Sequence, residues 1–179
     1  YALQPYLLEL YGDPHAYQVA GLVAAIVAGA QILGGLTAPW IRGRFRRRTS
    51  ALLATAGLGV ITLGLIGILE NFWAVIGLIV VWGLLFAASM PIRQTYLNGL
   101  IPSQQRATVL SFDSLMASSG GVWAQPLLGR AADVWGYAPS YLLGAGISAL
   151  ALPFLVLSRR QNAAADTVEV ADAQTASQS

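Results

Sequence analysis

Long stretches without a charged side chain constrain this sequence more than any other feature. A helix rises about 1.5 Å per residue, so roughly 20 apolar residues cross the hydrocarbon core of a membrane. Four stretches of that length contain no Asp, Glu, Lys or Arg: residues 14–41, 49–69, 71–92 and 134–158. A fifth stretch, residues 107–129, contains a single charged residue, Asp113, near its start. These stretches predict an all-α, polytopic helical membrane protein with five full membrane spans.

Turn and cap residues mark the limits of these spans. We predict that residues 13–160 form one membrane bundle, with spans at about 17–41, 50–69, 72–93, 106–129 and 138–158. Thr49 or Ser50 can cap the second span and Asn71 the third, because such side chains accept hydrogen bonds from helix N–H groups. Only Glu70 and Asn71 separate the second span from the third, which predicts a tight antiparallel hairpin.

The two ends of the chain differ from the spans. Residues 1–12 are apolar and aromatic but too short to cross a membrane, and they include neither a starting Met nor a basic segment. We interpret them as the end of a truncated membrane helix, and the chain as a fragment. Residues 161–179 are mostly Ala, Gln, Ser, Thr and acidic residues without an apolar period, which predicts a disordered tail.

Arginine is distributed very unevenly along the chain. Five of the ten arginines lie in one short loop, residues 42–48, and the chain has no lysine. Four more fall on the same side of the predicted topology: Arg93, Arg106, Arg159 and Arg160. Only Arg130 falls on the other side, and an excess of Arg in short loops marks the cytoplasmic face. We therefore predict a multi-pass protein of the cell membrane (inner or plasma), with a cytoplasmic C-terminal tail.

The composition excludes several classes of function. The chain has no Cys and one His, which excludes thiolate catalysis, thiolate metal sites and multi-histidine metal sites. No Asp, Glu or His lies in the middle of a predicted span, so an enzyme within the membrane would lack acid–base groups. We predict no enzymatic activity, no catalytic residue and no cofactor. Arginines placed against a membrane face favour anionic membrane lipid as a partner and disfavour nucleic acid.

The third span carries an aromatic and polar face. Trp82, Phe86, Ser89, Arg93 and Tyr96 follow one another at steps of 4, 3, 4 and 3, which is the spacing of one helical face. Polar groups facing lipid are unfavourable, so this face should contact protein or a water-filled cavity. Aromatic walls with a few polar groups suit an apolar, often cationic ligand.

The fourth span repeats the pattern with serines. Ser111, Ser114, Ser118 and Gln125 follow at steps of 3, 4 and 7, again on one face, and Gln31 is the polar residue of the first span. Such residues either line a substrate cavity or hydrogen-bond between helices, at about 0.6 kcal/mol per bond. Both interpretations stay open for the serines. For Trp82 and Gln125, a position on the cavity lining is favoured.

Charged residues near the arginine loop predict a cytoplasmic gate. Arg93 and Asp113 lie at the edges of predicted spans, away from the obvious loops. One hypothesis pairs Asp113 with Arg93, or with Arg42, Arg44 and Arg46 of the loop, in one conformation only. The alternative is that each side chain extends to the lipid headgroups, and that the loop only anchors the topology.

Three segments carry a resemblance to a known family. They are residues 35–48 (GLTAPWIRGRFRRR), residues 91–111 (PIRQTYLNGLIPSQQRATVLS) and residues 120–136 (GGVWAQPLLGRAADVWG). Together they resemble the C-terminal half, from the end of helix seven through helix twelve, of a major facilitator superfamily transporter. The second segment is most similar to bacterial drug exporters. The resemblance covers residues 1–160.

The resemblance implies half of a major-facilitator-type helix bundle. It implies secondary active transport of a small amphipathic solute, an exporter's function, by alternating access against the missing N-terminal half. In this family the helices matching the first, third and fourth spans line the central cavity, and those matching the second and fifth lie outside it. The alternative is a small polytopic membrane anchor or assembly protein without transport activity.

Overall fold

The structure, a computed structural model, describes residues 3–13, 15–161, 163 and 166–167. Over these residues the chain forms seven α-helices, a short 3-10 turn and no strand longer than an isolated bridge. The helices are α1 (Leu3–Tyr11), α2 (Tyr17–Arg44), α3 (Arg48–Ile66), α4 (Phe72–Leu100), α5 (Arg106–Trp135), α6 (Tyr137–Ala149) and α7 (Ala151–Arg160), with the 3-10 turn at Ser103–Gln105. The predicted all-α membrane fold class is confirmed.

Within the described part of the chain, four helical segments are long and apolar enough to cross a membrane: α2, α3, α4, and α6 with α7 taken together. The helix α5 is not among them, although its 30 residues would extend about 45 Å. Its apolar character is diluted by serines and by four charged residues: Arg106, Asp113, Arg130 and Asp133. The span predicted at 106–129 therefore stays a prediction. The short helix α1 lies within residues 1–12 and packs against α2 and α4.

Several helix ends differ from the predicted span limits. The helix α3 ends at Ile66, before the predicted limit, whereas α4 and α5 continue beyond theirs because neither meets a helix-breaking residue there. Gly136 ends α5 with φ of 90°, a conformation that glycine adopts without strain. The last predicted span is interrupted at Leu150, since Pro153 has no N–H to donate to the carbonyl four residues earlier.

Close helix crossings hold the bundle together. The helix α4 packs against both α2 and α3, α3 also contacts α6 and α7, and α5 packs against α6. Gly34 permits the crossing of α2 and α4, because a Cβ there would lie 2.5 Å from the Leu84 carbonyl oxygen. Gly67 plays the same part between α3 and α6, where a Cβ would lie 2.7 Å from the Ala138 carbonyl oxygen.

Two apolar clusters lie at opposite ends of the bundle. The tyrosine-end cluster consists of Tyr6, Leu7, Val23, Ile66, Val75 and Ile79. The arginine-end cluster consists of Ala51, Leu52, Ile92 and Tyr96, with Ile41, Phe45 and Leu155 packed against it. The helix α2 runs from the first cluster to the second, and its last turn holds Arg42 and Arg44. We use "tyrosine end" and "arginine end" for these two ends.

The two helix starts with predicted caps turn out differently. Asn71 caps α4 as the sequence predicts, because its Oδ1 accepts a hydrogen bond from the Ala74 N–H at 3.0 Å. The predicted capping of α3 by Thr49 or Ser50 is wrong, since α3 begins at Arg48 with no side-chain cap from its own N-cap residue. Asp166 supplies the carboxylate instead, 2.7 Å from the Thr49 N–H.

This contact modifies the prediction of a disordered tail over residues 161–179. Asp166 is 2% exposed, and Thr167 forms an isolated antiparallel bridge with Arg47. The physical reason is that the first N–H groups of a helix lack partners within the helix and favour a negative charge. Residues 168–179 lie outside the described part of the chain.

Candidate functional site

The aromatic face of α4 lines one cavity. Trp82, Phe86, Ser89, Arg93 and Tyr96 all border a cavity of about 620 Å³ at the arginine end, which we call the arginine-end cavity. The Trp82 and Phe86 rings are stacked, with centroids 5.4 Å apart and an angle of 15° between their planes. The Ser89 hydroxyl donates to the Phe86 carbonyl oxygen at 2.7 Å, so the helix itself satisfies this polar group.

The other walls of this cavity come from α3 and from the last two helices. The helix α3 contributes Leu52 and Thr55, and α7 contributes Phe154 and Leu155. The Thr55 hydroxyl donates to the Ala51 carbonyl oxygen at 3.0 Å, so the α3 wall is largely apolar. These walls form because α5 packs against α6 rather than along α4 over the described residues. The resemblance placed α3 and the last span outside the central cavity between the two halves of a transporter, and that statement stays a prediction.

A second cavity of about 410 Å³ lies toward the tyrosine end, and we call it the tyrosine-end cavity. Residues of α1 through α6 line it, including Val27, Gln125 and Tyr141. Three residues, Leu63, Trp82 and Ser148, line both cavities, so the indole lies where the two spaces meet. The structure thus brings together Trp82 and Gln125, the two residues for which the sequence favoured a cavity.

Three other predicted cavity residues lie elsewhere. Gln31 is exposed on α2, beside Gly83 of α4, and does not line either of the two cavities. Ser114 and Ser118 are exposed on α5, also outside both linings. Both helices also expose large apolar side chains on other faces: Trp40 and Trp123 lie nine residues, about half a turn around the axis, from Gln31 and Ser114. These sides of α2 and α5 are therefore uncovered by the rest of the described chain.

The two charged residues at the span edges form an ion pair. The Arg93 Nη2 and Asp113 Oδ1 atoms are 2.5 Å apart, and the two side chains are 44% and 30% exposed. The pair joins α4 to α5 and places a charged group at the border of the arginine-end cavity. Arg44 and Arg46 are exposed, and Arg42 is half-buried beside Pro91 of α4.

Sequence reasoning missed two polar contacts at this end. The Tyr96 and Ser158 hydroxyl groups are 2.9 Å apart and join α4 to α7. The only sequence signal for this contact is that a buried tyrosine hydroxyl needs a partner. The contact of Asp166 with Thr49 links residues 117 positions apart, and no local spacing predicts it. Among the described residues, no group of three His, Cys, Asp or Glu could hold a metal ion.

Comparison with known proteins gives one match. A family model described as Major Facilitator Superfamily matches residues 1–177, nearly the whole chain. No curated protein and no solved structure matches the chain significantly. The family model agrees with the helical bundle and with the four apolar helices of spanning length. The chain belongs to the Major Facilitator Superfamily, a family of membrane transporters.

Proposed function

We propose that the chain is the C-terminal half of a secondary active transporter that exports a small amphipathic solute by alternating access. The short helix α1 and the five predicted spans add up to six membrane segments, the number in one half of such a transporter. The uncovered faces of α2 and α5 are the surfaces on which the N-terminal half would pack. The similarity of residues 91–111 to bacterial drug exporters supports the direction and the class of solute.

The observation that carries this proposal is the composition of the arginine-end cavity. Its volume of about 620 Å³ falls in the range of roughly 300–1,000 Å³ that ligand sites occupy. Trp82 and Phe86 offer a stacked aromatic wall, and the hydroxyl groups of Ser89 and Thr55 are already bonded to their own helices. Such a site suits a solute with a flat apolar body and few polar groups.

The Arg93–Asp113 pair supplies the polar end of this site and the gate. Half-exposed ion pairs contribute only about 0–1 kcal/mol, so the pair can break and re-form during a transport cycle. When the pair breaks, α5 is released from α4 at the arginine end. The arginines of the loop at the same end offer Asp113 alternative partners in another conformation. They are Arg42, Arg44 and Arg46.

The distribution of arginine sets the proposed orientation. With nine of the ten arginines on one side, the arginine end would face the cytoplasm of the cell membrane, and so would the C-terminal tail. The arginine-end cavity would then receive solute from the cytoplasm or from the inner leaflet. Anionic lipid headgroups would bind around the loop at residues 42–48.

A transport assay tests this proposal directly. The full transporter is reconstituted in liposomes, and the flux of a fluorescent lipophilic amine is compared between the parent protein and Trp82→Ala. Because a buried aromatic anchor contributes about 2 kcal/mol or more to binding, we expect the flux to fall at least about tenfold. Trp73→Ala is the matched control, since Trp73 is 75% exposed and lines neither cavity. Equal flux in both variants would contradict the proposal.

The uncovered apolar faces also favour a second candidate, an anchor or assembly protein without transport activity. Trp40 and Trp123 are 76% and 80% exposed and could pack against another membrane protein. Under this alternative, the reconstituted protein carries no amphipathic probe. Substituting Trp40 and Trp123 by Ala would then release a bound membrane protein, while Trp82→Ala would release nothing.

A further inference from the structure

Two hydrogen bonds from Thr49 to the Asp166 carboxylate join the C-terminal tail to the start of α3. The Thr49 N–H donates to Asp166 Oδ1 and the Thr49 hydroxyl donates to Asp166 Oδ2, both at 2.7 Å. Asp166 is 2% exposed and Thr49 is fully buried. Next to this contact, Thr167 forms an antiparallel bridge with Arg47. The carboxylate thus uses both of its oxygens on a single residue of the helix start.

The chemistry of the helix start explains why a carboxylate binds there. Arg47, the N-cap residue of α3, forms no side-chain cap hydrogen bond, because a guanidinium has no acceptor to offer a helix N–H group. The first N–H groups of α3 therefore need an acceptor from another segment, and the helix dipole favours an anionic one. Hydrogen bonds to a charged acceptor are roughly twice as strong as those between neutral groups. Asp166 satisfies each of these requirements.

The same turn of α3 belongs to the wall of the arginine-end cavity. Leu52, three residues beyond Thr49, lies in the arginine-end cluster and lines the cavity. In that cluster it packs with Ile92 of α4, and Leu155 of α7 packs against them. Fixing the start of α3 therefore fixes one wall of the cavity relative to the other two.

We propose that Asp166 and Thr167 form a latch that holds the α3 wall of the arginine-end cavity in place, and that release of the latch widens access to the cavity. The latch is a property of the tail and of α3. Only its consequence for transport rests on the proposed function. When Asp166 leaves Thr49, the start of α3 loses its cap and its attachment to the tail, so the α3 wall moves more freely. Molecules from the arginine side then reach the arginine-end cavity more readily than in the latched structure.

Cysteine accessibility tests the latch without any transport assay. The chain has no cysteine, so Ser89→Cys places a single thiol on the lining of the cavity. The rate of labelling by a water-soluble maleimide is measured on the membrane-embedded protein, with and without Asp166→Asn. We expect labelling to become about 2- to 30-fold faster, the factor that corresponds to loss of one helix cap. Asp172→Asn makes the same change of charge in the same tail and serves as the control.

A variant of Thr49 separates the contribution of its hydroxyl hydrogen bond from that of its N–H hydrogen bond. Thr49→Val removes the hydroxyl but keeps the N–H, so it should speed labelling less than Asp166→Asn does. Thr49→Ser keeps both donors and should leave the rate unchanged. If Asp166→Asn labels at the rate of the Asp172→Asn control, the latch is wrong.

A cross-link provides a test that does not depend on the stability of these variants. Residues paired across an antiparallel bridge have Cα atoms about 4.5–5.5 Å apart, within the range that a disulfide spans. On oxidation, the Arg47→Cys/Thr167→Cys protein should form the disulfide in high yield. When Ser89→Cys is added and labelled, the oxidised protein should react with the maleimide no faster than the reduced one. Failure to cross-link would overturn the latch. The two proposals can fail separately. If Trp82→Ala lowers flux but Asp166→Asn does not change the labelling rate, the proposed transport is supported and only the latch is wrong.

Discussion

The two ends of the bundle are held together by different kinds of contact. At the tyrosine end, the Tyr6 ring lies 5.9 Å from the Tyr137 ring and 5.2 Å from the Tyr141 ring, and its hydroxyl donates to the Ile66 carbonyl oxygen. At the arginine end, separate polar contacts join neighbouring elements. They are Arg93 with Asp113, Tyr96 with Ser158, and Asp166 with Thr49. Both ends contain an apolar cluster, but the tyrosine end adds packed aromatic rings, whereas the arginine end adds polar contacts between neighbouring elements.

This difference indicates which end moves. Close packing of aromatic rings and small residues is lost as soon as two helices separate, and lipid offers no compensating contact of the same shape. A half-exposed ion pair or a hydroxyl contact can be exchanged for water or for a headgroup at little cost. We therefore expect the arginine end to open while the tyrosine end stays assembled.

The largest effect is expected from filling the space at Gly67. A Cβ at this position would lie 2.7 Å from the Ala138 carbonyl oxygen and 2.8 Å from Leu142 Cγ. Gly67→Ala should therefore push α3 from α6 and lower the free energy of unfolding by about 1–3 kcal/mol. Thermal unfolding in detergent, followed by circular dichroism, measures the change. Gly64→Ala is the control, because nothing lies within 4 Å of its added methyl group. Equal stability of the two variants would contradict close packing of α3 against α6 at the tyrosine end.

Removing the α4 cap at the tyrosine end should have a smaller effect. Asn71→Ala deletes the acceptor of the Ala74 N–H and should lower the free energy of unfolding by about 1 kcal/mol. Asn71→Asp keeps a side-chain acceptor at the same position and should retain the parent stability. The same unfolding assay compares the two, and a loss of stability in both variants would show that the amide does more than cap the helix.

The same substitution at each end sharpens the comparison further. Tyr6→Phe removes the hydrogen bond to Ile66 and should lower the free energy of unfolding by about 0.5–1.5 kcal/mol, without changing access to the arginine-end cavity. Tyr96→Phe removes the contact with Ser158 and should instead speed maleimide labelling of Ser89→Cys. If both variants change labelling equally, the two ends are not mechanically distinct.

The repeating patterns of the sequence account for most of the fold. Charge-free runs predict the apolar helices, because desolvating a charge within lipid is unfavourable over the whole width of a span. Helical spacing likewise puts Trp82, Phe86 and Ser89 on one face, and these residues do share a cavity. Asn71 lies directly before its helix, and its cap follows from local chemistry alone.

What the sequence could not provide depends on contacts between distant segments. Asp166 caps a helix that begins more than a hundred positions earlier, and a composition typical of disorder conceals it. The choice of α3 and α7 as cavity walls depends on how α5 packs, which no periodicity within α5 specifies. Ser114 and Ser118, which share a helical face, and Gln31, the polar residue of its span, are exposed in the described chain, so their role in a cavity stays a prediction.

Charge reversal at Arg93 and Asp113 tests most directly whether the arginine end is the moving gate. Because the pair is half-exposed, Arg93→Asp and Asp113→Arg should each change the free energy of unfolding by only about 0.2–1 kcal/mol. Each single reversal should nevertheless abolish flux of a lipophilic amine in liposomes, and the double reversal should restore it. If the double variant stays inactive while folded, direct pairing across α4 and α5 does not operate the gate.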